Sequence, residues 1–464
     1  MSEVIPGPGM SQSTQGEIFY LCFYGIEPEI LMTEHPATEK REKSRFGLIL
    51  HLHPRKVKAS TLRISLTFGL GGMSALLLVI QVVTGLLLKF HYEPSPENAY
   101  NSILNLQETL LFGKMLRNIH HWSAIAFVWI AFLHMLRTAF TGAYRPPRDV
   151  TWITGLALLL LVVLSNFTGY LLPWDQLSYW AVTVATSLLS YIPLAGEPIR
   201  KALLGGAEVG QPTLTNFFNL HTGVIPLMII ALIAWHFWSI RRSGGVIVAE
   251  EDRESPMVDT RLHLVNREFV VAVALLAAIF LISSLLDAPL RERANPAFSP
   301  NPAKAPWYFM GLQELLIHFH PLFAVFILPV TVLTAAVWMP YVKSDDKNRG
   351  IWFISPAGIS SAKTAAAASA FFTVIFILTS ELLPDPEALL PGIPPILTTG
   401  LVPFLIMAST MWLFLRSLKR RLSLTRPEMI QSVIVLLVAS YAILTVTGIF
   451  FRGEGMNMVW PWNR

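Results

Sequence analysis

The chain has 464 residues, of which 53% are hydrophobic and 14% charged. That balance excludes an ordinary soluble domain and predicts a multi-pass membrane protein. The net charge of +5 gathers in short loops rather than in a nucleic-acid footprint, and the single cysteine, Cys22, excludes an internal disulfide or a cysteine-ligated cluster within the chain.

Residues 1–60 read as a polar, irregular N-terminal extension. Its apolar stretch 18-IFYLCFYGI-26 is short and followed by acidic residues, so no cleavable signal is expected. Nine apolar runs near 20 residues follow, at roughly 64–90, 116–141, 151–172, 216–241, 268–287, 319–341, 363–381, 397–416 and 427–450. The fold class is therefore an all-α membrane bundle. Basic residues set its orientation. Arg55, Lys56, Lys58 and Arg63 precede the first run. Arg137 lies at the end of the second, Arg145 and Arg148 between it and the third, and Arg241 and Arg242 at the end of the fourth. Lys343, Lys347 and Arg349 follow the sixth, and Lys419, Arg420 and Arg421 the eighth. With nine spans these segments share one side, which is the negative, cytoplasm-like one. The long loops 173–215 and 288–318 fall on the opposite, positive side, where long loops tend to carry function.

Two of the spans carry paired histidines. His120 and His134 are fourteen residues apart, and His221 and His236 fifteen. Each pair spans roughly 21 to 23 Å of helix and stays on one side of it. Two such helices face to face offer two stacked bis-histidine sites, the arrangement that two six-coordinate hemes need. A histidine facing lipid would be costly, so the bland alternative is a buried histidine bonded to a neighbouring helix. Gly71 and Gly85 in the first span, and Gly155 and Gly169 in the third, repeat the fourteen-residue interval. A flat porphyrin needs close backbone approach, which glycine permits, although membrane helices also use small residues for ordinary packing. Arg117 and Arg137 each lie three residues from a histidine and suit heme propionates, or act simply as interfacial arginines.

The segments 117-RNIHHWSAIAFVWIAFLHMLR-137, 151-TWITG-155, 169-GYLLPWDQLSYWAV-182 and 213-TLTNFFNLHTGVIPL-227 resemble cytochrome b of the cytochrome bc complexes. The fifteen-residue histidine interval and the Pro-Trp-Asp-Gln string are closer to cytochrome b6 of b6f complexes. The resemblance covers roughly residues 60–340 and implies a four-helix diheme core. It implies that His120 and His221 ligate a heme b near the positive side and that His134 and His236 ligate one near the negative side. Gly71, Gly85, Gly155 and Gly169 would be porphyrin contacts, and Arg117 and Arg137 propionate positions. The family's arginine after Thr-Leu-Thr is Asn216 here. Gly69 stands where b6f members carry the cysteine of a covalent extra heme, so no covalent heme is expected. The implied organisation is a cytochrome b6-like domain at 61–245, a subunit IV-like domain at 246–345 and additional C-terminal helices at 346–464.

The family's Pro-Glu-Trp-Tyr motif beside the quinol-oxidation pocket reads Ala305-Pro306-Trp307-Tyr308 here, without the carboxylate. Quinol oxidation releases protons into a low-dielectric pocket, so an acceptor must stand near. Glu314, six residues after Tyr308, is the candidate, with His318 and His320 behind it, while Trp307 and Tyr308 would line the pocket. Each has a bland reading as an ordinary pairing or interfacial residue. Asp175 and Tyr179 fall near the same pocket in the family, and Trp460 and Trp462 of the tail suit an interface.

The resemblance thus implies the diheme subunit of a quinol:cytochrome c (bc1- or b6f-like) oxidoreductase in an energy-transducing membrane. Its implied partners are a Rieske iron–sulfur protein, a cytochrome c-type subunit, the quinone pool and, as in the family, a second copy of the complex. Two alternatives stay open. One is a diheme b-type anchor of another quinone-linked respiratory enzyme. The other is a heme-free transporter or scaffold whose histidines relay protons or pack.

Overall fold

The computed structural model describes residues 54–343, 349–384 and 390–463. Most of the expected N-terminal extension, with Cys22, lies outside the described residues. A short strand β1 (Lys56–Lys58) precedes α1 (Leu70–Lys89), α2 (Ala99–Glu108), α3 (Gly113–Phe140), α4 (Asp149–Tyr170), α5 (Gln176–Leu188), α6 (Gly196–Leu204) and α7 (Gln211–Arg242). Strand β2 (Met257–Asp259) follows and pairs antiparallel with β1. Then come α8 (Arg261–Leu285), α9 (Met310–His318), α10 (Phe323–Tyr341), α11 (Pro356–Leu382), α12 (Ile396–Leu422) and α13 (Arg426–Phe450). Among the described residues nine helices, α1, α3, α4, α7, α8 and α10 to α13, are long and apolar enough to cross a membrane. The chain is an all-helical, multi-pass membrane bundle, and the nine expected spans coincide with these helices.

Their ends differ from the apolar runs because caps, not hydropathy, stop a helix. The first span starts at Leu70 rather than near residue 64, since Phe68 and Gly69 both have left-handed backbone angles (φ 51° and 67°) that helix cannot continue through. The seventh starts earlier than its apolar run, at Pro356, where the Ser355 hydroxyl accepts from the Gly358 amide at 3.1 Å and proline fills the first helical position. The ninth opens on a capping box, with the Glu428 carboxylate reaching back to the Thr425 amide at 2.8 Å.

Prolines shape three spans from inside. Pro226, Pro329 and Pro403 each sit just after a π-helical turn, at Leu220–Val224, Phe323–Ile327 and Ile396–Leu401. A proline has no amide hydrogen and its ring crowds the carbonyl four residues back. The preceding amide reaches one residue further instead: Ile225 bonds the Leu220 carbonyl, Leu328 that of Phe323 and Val402 that of Leu397. His221 lies in the first of these widened turns.

The connecting segments sort into two faces. On the basic face, Lys58 bonds the Arg253 carbonyl, Arg148 bonds those of Ser243 and Gly245, and Arg349 bonds that of Pro146. Arg426 there reaches the Lys343 carbonyl. At the other end, the Gln176 amide bonds the Glu292 carbonyl, the Ala294 amide that of Trp174, and the His320 amide that of Thr399. The expected long loops 173–215 and 288–318 are therefore ordered against each other, and α5, α6 and α9 lie within them.

The core of the first half packs α1 against α3 and α4 against α7, around Leu77, Phe127, Val162 and Ile229, with Ile279 of α8 closing it. Outward-facing apolar side chains belong to lipid, where only a fully hydrogen-bonded helical backbone is tolerated.

Candidate functional site

The four histidines of α3 and α7 meet as pairs. The His120 and His221 rings stand 6.2 Å apart, centroid to centroid, with their planes at 82°. Two metal–nitrogen bonds of about 2 Å, plus about 1 Å from each nitrogen to its ring centre, put rings clamping one metal roughly 6 Å apart. The spacing fits a bis-imidazole clamp. His134 stands within electrostatic range of His236, one level along the same helices. Among the described residues no group of three or more His, Cys, Asp or Glu could hold a metal unaided. Two imidazoles leave four equatorial positions, the number a tetrapyrrole supplies.

The rings are also held in the orientation ligation needs. The Thr84 hydroxyl donates to the Ile80 carbonyl at 2.6 Å and lies 2.8 Å from Nδ1 of His120, so that nitrogen donates to it and leaves Nε2 free to ligate. Thr154 does the same for His236 at 3.0 Å, while donating to the Val150 carbonyl. His221 Nδ1 lies 2.9 Å from the Ser165 carbonyl, which can only accept, and Thr168 stands at 3.5 Å. These threonines escaped the sequence reading, although a signal exists: 84-TG-85, 154-TG-155 and 168-TG-169 repeat one dipeptide.

The glycines have a closer neighbour than the sequence suggested. A Cβ on Gly71 would lie 3.3 Å from Cε1 of His134, and on Gly85 3.2 Å from Cε1 of His120. On Gly155 it would lie 3.4 Å from Cε1 of His236, and on Gly169 only 2.5 Å from Cε1 of His221. Gly71 and Gly85 of α1 and Gly155 and Gly169 of α4 therefore each make room for one imidazole on the adjacent helix. The fourteen-residue glycine interval matches the histidine interval because the two are in register.

Arg117 is buried and donates to the carbonyls of Ala288 and Pro289 at 2.7 and 2.6 Å. Arg137 is buried too; its Nε donates to the Leu66 carbonyl at 2.6 Å, while Nη2 has no partner. A buried guanidinium nitrogen without a partner is costly, and an anionic propionate would satisfy it.

At the other face, Trp307 stacks on Trp129 with centroids 4.8 Å apart and planes at 7°, and its buried Nε1 has no acceptor. Tyr308 packs against the core beside it, and burial pushes its phenol well above the usual range. Glu314 is fully buried. Arg452, just beyond α13, grips it with both arms, Nε to Oε2 at 3.0 Å and Nη2 to Oε1 at 2.6 Å, and reaches Glu381 at 2.7 Å with Nη1. His318 bridges Glu314 Oε1, 3.2 Å from Nε2, to the Ser380 hydroxyl, 2.9 Å from Nδ1. Burial alone would raise the Glu314 pKa, but the bonds to His318 and Arg452 outweigh it and hold the carboxyl below its ordinary value. Arg452 was not legible beforehand as a partner, being one arginine in a tail. His320 is placed apart from this group, edge-on to Tyr191 at 5.8 Å.

Asp175 caps α5 through the Ser178 amide at 2.9 Å and accepts from the Arg291 amide at 3.0 Å, so it ties the two loops together. Tyr179 packs edge-on to Trp174, and Asn216 bonds the Ala202 and Leu203 carbonyls, both at 3.2 Å. Trp460 and Trp462 stack on each other, 5.0 Å apart.

The family model "Cytochrome b/b6/petB" matches residues 55–244. Cytochrome b6 of Acaryochloris marina (strain MBIC 11017) is 41% identical over 181 residues, covering 39% of this chain and 84% of that protein. A solved "Hyperthermophilic respiratory Complex III" chain shares the fold at a TM-score of 0.63 and 21% identity, over 90% of this chain and 96% of its own. That likeness of fold extends through the later helices. The chain belongs to the cytochrome b/b6 family.

Proposed function

We propose that this chain is the diheme cytochrome b subunit of a membrane quinol:cytochrome c oxidoreductase of the bc or b6f kind. The observation that carries the reading is the His120–His221 clamp at 6.2 Å with both outer ring nitrogens already bonded. His134 and His236 would hold the second heme b, and Arg117 and Arg137 would hold propionates, Arg137 with its spare Nη2. When bound, the two hemes supply one-electron transfer at two depths of the bilayer, which makes the turnover electrogenic.

The chain's own residues handle the quinol and its protons. Trp307 and Tyr308 line the oxidation pocket on the positive side, with the free indole Nε1 as a donor to a quinol oxygen. A carboxylate gripped by a guanidinium is a weak base, so Glu314 acts through His318, whose ring joins it to Ser380 at the surface. A Rieske protein and a cytochrome c-type subunit take the electrons leaving on that side, the quinone pool supplies substrate, and the complex assembles as a homodimer.

Reduced-minus-oxidised spectra and pyridine hemochrome titration test this on the purified complex. We expect two b hemes per chain, and one after His221→Ala. Full heme content in His221→Ala, or no b-type spectrum in the wild type, would sink it.

A further inference from the structure

The end of α12 carries Arg416, Lys419, Arg420 and Arg421 on the basic face of the bundle. Three arginines elsewhere on that face are spent on neighbouring loops: Arg148 on the Ser243 and Gly245 carbonyls, Arg349 on that of Pro146, Arg63 on Asp252. Among the described residues, Arg416, Arg420 and Arg421 have no carboxylate or carbonyl partner. Instead they surround a groove of about 520 Å³ with Ser417, Trp412 and Leu413. The Arg416 guanidinium lies 5.1 Å from the centre of the Trp412 ring, which fixes its direction. A second groove of about 430 Å³ adjoins the first, sharing Leu413, Ser417 and Arg421, and continues over Phe372, Phe414 and Leu418. Charge and a hydroxyl thus lie at one end and an aromatic, apolar trough at the other. They sit at the depth where a spanning helix leaves the hydrocarbon and indoles mark the interface.

We propose that this is a binding site for an anionic phospholipid of the cytoplasm-side leaflet. Its phosphodiester sits among Arg416, Arg420, Arg421 and the Ser417 hydroxyl, and one acyl chain runs along the trough between α11 and α12. Arginine's planar fork suits a phosphate oxygen pair, and basic pockets beside spanning helices on this side favour anionic headgroups.

The test uses the purified, heme-loaded complex, stripped with detergent and then exposed to phosphatidylglycerol or phosphatidylcholine vesicles, with retained lipid counted by native mass spectrometry. Wild type should retain phosphatidylglycerol and not phosphatidylcholine. Arg416→Gln/Arg420→Gln/Arg421→Gln should weaken retention by about tenfold or more at unchanged heme content, and the triple lysine variant should recover part of it. If the triple glutamine variant loses heme, Arg420→Gln alone is read the same way and should show a partial loss. Equal retention of the two lipids, or glutamine variants retaining as much as wild type, would overturn the site. Displacement of phosphatidylglycerol by millimolar inorganic phosphate would overturn it in favour of a free-anion site.

Discussion

At the scale of single residues, the informative atoms are hydroxyl oxygens one position before a glycine. Thr84, Thr154 and Thr168 return their own hydrogens to the helix and present oxygen to a histidine Nδ1, or nearly so for Thr168. Gly71 is preceded by Leu70, so His134 has no matching hydroxyl from that position. The two proposed clamps therefore differ in the hydrogen bonding of their imidazoles. Thr84→Val keeps the shape and removes the acceptor of the His120 proton. If His120 ligates a heme as proposed, the less basic ring should raise that heme's midpoint potential by about 60 mV or less, which is a tenfold change for a one-electron couple. Redox titration of both hemes checks this; an unmoved potential would remove Thr84 from the argument. Glycine at 169 is enforced by space alone, since a Cβ there would sit 2.5 Å from His221.

At the scale of elements, α13 governs the loop proposed to oxidise quinol. Tyr441 donates to the Tyr308 carbonyl at 2.7 Å, Lys304 donates to the Ile449 carbonyl at 3.1 Å, and Arg452 holds Glu314. A carboxylate whose folded pKa lies below its unfolded value stabilises the fold above that unfolded value. The contribution is lost as pH falls through the lower, folded value. For Glu314, with an ordinary value of 4.5, the wild-type complex should lose stability in acid below that point. Glu314→Gln should lower stability at neutral pH by about 3 kcal/mol or more, because Arg452 stays buried with one partner removed, and should flatten the acid limb. Thermal unfolding in detergent across pH measures both; a variant as stable as wild type at neutral pH would show that the ion pair contributes nothing net. Slower quinol turnover without heme loss is the further expectation for this variant.

At the scale of the molecule, the bundle is polarised. Basic loops cross-link one face through arginine-to-carbonyl bonds, and the ordered loops bearing α5, α6 and α9 cover the other. Orientation should follow the basic residues. In a variant lacking Cys22, a cysteine placed at exposed Glu254 should react with an impermeant maleimide only from the cytoplasm-like side, and one at exposed Ser299 only from the opposite side. Labelling of both from one side would refute the topology.

Composition and period by themselves determined the membrane class, the nine spans and the paired histidines, because apolar length and helical spacing are local properties that any one segment carries. The fourteen-residue glycine interval was legible too, but its meaning was not: only packing of α1 on α3 and of α4 on α7 revealed that each glycine accommodates an imidazole. Helix ends came out differently from the apolar runs since caps and left-handed residues such as Phe68 and Gly69 decide them. Partners distant in the chain stayed hidden. Arg452 and Glu314 are 138 residues apart, and no local pattern links them. Their pairing exists because tertiary structure brings the end of α13 beside α9 in a place too dry for either charge alone.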